Sequence, residues 1–87
     1  MICTVQVLPQ PFIDQLKVQI DISVSINLVL RLNDENNNLV RMMGCQLQQG
    51  GNIIQLVNLG KFARGNYILE VRLLNGDLIH SIPLIKE

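Results

Sequence analysis

Few side chains in this chain have the chemistry for catalysis or metal binding: one histidine (His80), two cysteines (Cys3 and Cys45) and a scatter of carboxylates. A thiol or hydroxyl becomes a nucleophile when a base lies within hydrogen-bond reach, and zinc needs three or four ligands at regular spacing. One His and two unpatterned Cys meet no such spacing, and no serine sits in a nucleophile-elbow motif. Alternation puts His80 on a face with Leu78, Ile82 and Leu84, or on an exposed edge, so a structural role is expected. Cys3 and Cys45 admit one disulfide, or two buried or half-buried thiols as the plainer reading.

Oxygen ligands cluster in Asn33-Asp34-Glu35-Asn36-Asn37-Asn38. A calcium loop of the EF-hand kind needs Gly at its sixth position and a bidentate Glu at its twelfth, and neither is in place. The run reads as a hydrated turn, because Asn takes left-handed geometry and bonds its own backbone. Gly50-Gly51 and Gly60 to Gly65 open no helix after a strand, so they read as turn glycines rather than a phosphate cradle. The acids fall on solvent-facing strand positions (Asp21, Glu70) or in turns (Asp14, Asp34, Glu35, Asp77), not as a pair in a cleft. No enzymatic activity, catalytic residue, metal or cofactor is expected.

The elements that would position any site are strands. Tyr67, Leu69, Val71 and Leu73 alternate with Ile68, Glu70 and Arg72; Leu16, Val18, Ile20 and Ile22 alternate with Lys17, Gln19 and Asp21; Ile26, Leu28, Leu30 and Leu32 do the same. This is the period of a half-buried strand, whereas on a helix the same residues would scatter around the circumference. Turn signals recur about every 8 to 12 residues, the spacing of an antiparallel sandwich. The reading is seven strands: Thr4 to Leu8, Gln15 to Ile22, Ser25 to Leu32, Leu39 to Gly44 with a continuation to Leu47, Asn52 to Val57, Asn66 to Leu74, and Leu78 to Ile85. Leu16, Val18, Ile20, Leu28, Leu30, Tyr67, Leu69 and Val71 are the expected core. Asn75-Gly76 predicts a tight hairpin between the sixth and seventh strands, since both residues tolerate positive φ. Pro83 cannot donate a ladder bond, which puts the last strand at a sheet edge or Pro83 on its unpaired side, open to a partner.

Eighty-seven residues suffice for one domain, residues 1–87, which buries roughly two-thirds of its unfolded surface. Seven basic and seven acidic side chains leave a formal net charge of zero, so no field draws in nucleic acid or an anionic membrane surface. The apolar runs are too short to cross a bilayer, and no signal peptide is expected at Met1, which runs directly into Ile2-Cys3-Thr4. An excised domain with an added Met1 would fit this start.

Taken in order, several segments form a pattern: Val7-Leu8-Pro9-Gln10-Pro11-Phe12-Ile13-Asp14-Gln15-Leu16, Asn38-Leu39-Val40-Arg41, Gly51-Asn52-Ile53-Ile54-Gln55-Leu56, Leu59, Gly65-Asn66-Tyr67-Ile68-Leu69-Glu70-Val71, and Pro83-Leu84-Ile85-Lys86-Glu87. It resembles the type A C-terminal sorting domain of the Bacteroidetes type IX secretion system over nearly the whole chain. Gln10 departs from it, standing where that family usually has Asn between the prolines. The resemblance implies a seven-stranded immunoglobulin-like β-sandwich. It also implies a secreted or cell-surface protein whose N-terminal cargo crosses the periplasm and then the outer membrane. The expected partners are the outer-membrane translocon or its shuttle proteins and a sortase-like surface peptidase. Pro9, Pro11 and Phe12, as a rigid exposed turn, and Ile82, Pro83, Leu84, Ile85 and Lys86, on an edge strand, are the expected recognition residues.

Two rival readings remain beside it: an accessory sandwich that packs against or binds carbohydrate, and an assembly module like the immunoglobulin-like part of hook-capping proteins. Sugar stacking wants exposed aromatics, for which only Phe12 and Phe62 are available.

Overall fold

A computed structural model describes residues 1–87. Seven strands form two antiparallel sheets: β1 (Cys3–Leu8), β2 (Leu16–Ile22), β3 (Ile26–Asp34), β4 (Leu39–Leu47), β5 (Gly50–Leu56), β6 (Gly65–Leu73) and β7 (Leu78–Lys86). One sheet has the order β1-β2-β5 and the other β4-β3-β6-β7. The chain is an all-β sandwich of the immunoglobulin-like kind. Its fourth strand lies beside β3, whereas the antibody constant-type arrangement places it beside the fifth.

The position of β4 has a local cause. Asp34 Oδ1 accepts from the backbone N–H of Asn36 (3.0 Å) and of Asn38 (2.9 Å), and Asn37 takes a positive φ of 64°. This is the self-bonding Asn-rich turn expected from the sequence. It folds β4 directly back on β3, with a bulge between Leu32 and Asn33.

All eight residues expected in the core are buried. Period two places Leu16, Val18, Ile20 and Ile22 on one inner face, and Leu28, Leu30, Leu32, Tyr67, Leu69 and Val71 on the other. Phe12, Leu59 and Leu84 complete the same cluster. Phe12 and Tyr67 meet edge to face, with centroids 5.9 Å apart, and the Tyr67 hydroxyl donates to the Ala63 carbonyl at 2.6 Å. That back-bond at the start of β6 is a tyrosine corner, which pins the crossing from β5 to β6.

The expected strand ranges shift by a residue or two. β3 runs on to Asp34 because Asn33 and Asp34 pair with Ile68 and Tyr67. β5 begins at Gly50 because Gly50 and Gly51 pair with Ile22 and Asp21. The expected tight β6–β7 hairpin forms at Asn75-Gly76. Leu74 to Asp77 form the loop, the Leu73 carbonyl accepts from Gly76 N–H (2.9 Å), and Gly76 alone is left-handed, at φ 98°. Asn75 instead uses its side-chain oxygen to cap Asp77 N–H at 2.9 Å, and a register shift follows between Val71 and Arg72.

Candidate functional site

The first and last of the segments carrying the sorting-domain resemblance lie at opposite ends of the chain, and the sandwich brings them together. The backbone at Phe12 runs parallel to the end of β7: Phe12 N–H donates to the Ile85 carbonyl (3.0 Å), and Glu87 N–H donates to the Phe12 carbonyl (2.9 Å). The Gln10 amide reaches the Pro83 carbonyl at 3.4 Å. These contacts fix which way the backbone of β7 faces. The Ile85 carbonyl and Glu87 N–H point outward from the sheet, and by alternation so does Pro83, whose missing N–H then costs no ladder bond. β7 is the edge strand that Pro83 implied.

The edge is not open as expected, because the Gln10–Phe12 segment occupies its C-terminal half. The expected recognition residues divide accordingly. Pro9, Pro11, Pro83 and Ile85 are exposed, Ile85 at 55%. Phe12 and Leu84 are core residues, at 0% and 1% exposure, so their side chains cannot touch a partner without unfolding. Ile82 packs half-buried against the core. Lys86 is buried along its stem, and its ammonium donates to the Glu87 carbonyl at 2.7 Å. Phe12 enters the core because the turn ahead of it faces the ring inward onto Tyr67, a contact between residues far apart in sequence. Beside the turn, Leu8, Pro9, Gln15, Leu16, Lys17 and Gln55 line a shallow cavity of about 300 Å³.

The chemistry-bearing residues do not converge. His80 Nε2 lies 2.7 Å from the Cys3 carbonyl. A carbonyl only accepts, so the ring donates from Nε2 and ties β7 to β1 across the sandwich. Both cysteines are free thiols, and burial pushes each thiol up from its ordinary pKa. Nothing here favours the thiolate that a nucleophile needs. No group of three or more His, Cys, Asp or Glu is placed to hold a metal ion.

Glu70 departs from the solvent-facing position expected of it. It is half-buried on the outer face of the four-stranded sheet and pairs with Arg72 through two contacts, at 2.9 and 3.1 Å. The Arg72 hydrogen bonds hold its carboxyl below the usual range, with Asn33 and Arg31 adding to the effect against burial. Glu35 sits over Gly65, where a Cβ would come within 2.7 Å of its carboxylate and φ is 142°, so glycine is required there.

Neither phenyl ring stands fully exposed. Phe12 is buried, and Phe62 lies beneath the Arg41 guanidinium, 5.6 Å from its centroid. Arg41 in turn donates to the carbonyls of Val57 (2.9 Å) and Asn58 (3.4 Å). Alternation alone did not mark Leu59 as core, because it lies in the β5–β6 crossing. It is fully buried, and its N–H donates to the Asp14 carbonyl at 2.8 Å. No protein-family model and no curated protein matches this chain.

Proposed function

We propose that this chain is a non-catalytic sorting domain that directs an N-terminal cargo through a type IX outer-membrane translocon to the cell surface. The motive is the sequence resemblance. The observation that carries the reading is the joining of its two terminal segments: Pro9 and Pro11 stand beside Pro83 and Ile85 on one exposed patch, built on backbone bonds between Phe12 and β7. A translocon or shuttle protein can grip such a patch on a folded domain, because the ordered turn and strand cost little entropy to engage. A surface peptidase acting afterwards would cut outside the sandwich.

The test fuses the domain to the end of a periplasm-targeted reporter in a type IX-competent bacterium, and the reporter is expected at the surface or in the medium. Removing Ile82 to Glu87 would be a poor control, since it takes Leu84 out of the core. Ile85→Glu changes an exposed position, and export is expected to fall several-fold while the purified variant keeps the wild-type melting temperature. Reporter retained in the periplasm by the intact domain, in a strain that exports an established sorting domain, would overturn the sorting role and favour an assembly module.

A further inference from the structure

The two sheets leave a second seam on the opposite side of the sandwich, between β4 and β5. These consecutive strands belong to different sheets and do not pair with each other. Two plugs close the ends of the seam. At one, the Asn52 side chain accepts from Gln48 N–H (3.0 Å) and donates to the Gln48 carbonyl (2.8 Å), imitating a strand at the sheet crossing. At the other, Arg41 holds the carbonyls of Val57 and Asn58. Between the plugs lies a groove of about 380 Å³, lined by Met43 to Leu47 of β4 and Asn52 to Gln55 of β5.

This groove has the features of a site for a missing strand. β5 pairs on one side only, with β2, so every second residue turns an unpaired N–H and C=O toward the seam. No lining residue is charged, and β5 carries neither Pro nor a charged residue. It therefore lacks the devices that normally protect an edge. Met43 and Ile54, which face inward along the groove, are partly buried hydrophobics packed against the core.

We infer that the β4–β5 seam accepts an extended, uncharged segment of another polypeptide, laid along the free edge of β5 with aliphatic side chains at alternate positions turned into the groove. An extended backbone is the partner that satisfies a row of alternating donors and acceptors. A charged side chain entering the groove would find no countercharge among the residues that line it. A second copy pairing edge to edge fits less well, because its own Asn52 and Ile54 would face its own core and leave the groove unfilled. The inference stands apart from the sorting role, since it concerns the opposite side of the sandwich and its test involves no export.

The probe is a short acetylated and amidated peptide of alternating Thr and Val with Gly-Ser ends. The control alternates Thr with Lys. Titration into the 15N-labelled domain, with amide exchange read at each residue, is expected to give saturable shifts and at least fivefold slower exchange in Asn52 to Gln55. The Lys peptide is expected to bind at least tenfold more weakly. Met43→Lys puts a charge in the groove and is expected to weaken the Thr/Val peptide about tenfold while the spectrum stays dispersed. Ile85→Glu, on the far seam, is expected to leave binding unchanged. Any of the following would overturn the assignment: no saturable shift up to about millimolar peptide, shifts centred on β1 or β7, equal binding of both peptides, or protection of β5 by concentration-dependent dimerisation of the domain alone.

Discussion

The two long sides of the sandwich differ in how they are closed. On the β1–β7 side, Phe12 inserts its ring into the core while its backbone bonds to the outer edge of β7, and His80 reaches the Cys3 carbonyl. On the β4–β5 side, side chains close only the ends and the middle stays open. One side thus combines apolar burial with main-chain bonding, and the other relies on polar contacts at its margins. Aliphatic and aromatic burial dominates stability, and a neutral or water-exchangeable hydrogen bond adds little net. The closed side should therefore hold the fold, leaving the open side available for binding.

Phe12→Ala tests this contrast most severely. A buried phenyl lost from a packed core is expected to cost about 3–5 kcal/mol, read by urea unfolding. Ile53→Ala on the open side is expected to stay within about 0.5 kcal/mol. Comparable losses at the two positions would break the comparison.

Tyr67→Phe removes the hydroxyl that bonds Ala63 and keeps the ring against Phe12, for an expected cost of about 1–1.5 kcal/mol. Its pH dependence sharpens the test. Burial, followed by the charges of Asp34 and Glu35, raises the Tyr67 phenol in the folded state. The unfolded chain therefore releases this proton first, and the stability it contributes is present below the ordinary tyrosine range, near pH 10, and lost as pH rises through the folded value. Unfolding midpoints measured from pH 8 upward should show this alkaline loss in the wild type and a smaller one in Tyr67→Phe. An identical alkaline profile in both would discount the corner as its source.

His80→Ala is expected to cost less than either aromatic change, about 0.5–1 kcal/mol for one cross-sheet hydrogen bond. Its location matters more than its size: amide exchange should quicken in β1 and leave β5 unchanged. Equal quickening in both strands would mean that the two sides are not independently closed.

The sandwich itself was legible from alternation, because the side-chain period of a strand is local and decides which face each residue presents. Leu16 to Ile22 and Tyr67 to Leu73 needed nothing beyond their own order. The Asn36 to Asn38 turn was equally legible, since its bonds lie within five residues of Asp34. Pro83 announced an edge strand through its missing N–H, but that residue could not show that the edge would be covered. Phe12 read as an exposed turn residue because its neighbours are prolines and polar groups, and Glu70 read as solvent-facing because its Arg72 partner emerges only from side-chain geometry.

What the amino-acid order alone determined is the number of strands, their inward faces and most of the core, all consequences of short-range periodicity and turn chemistry. Tertiary structure alone decided which edges are sealed. Sealing depends on groups such as Gln10 and Pro83, 73 residues apart, meeting across a surface that exists only once both sheets have packed. No local pattern encodes that meeting, and for the same reason none marked the β4–β5 seam, whose strands follow one another in sequence yet fold into opposite sheets.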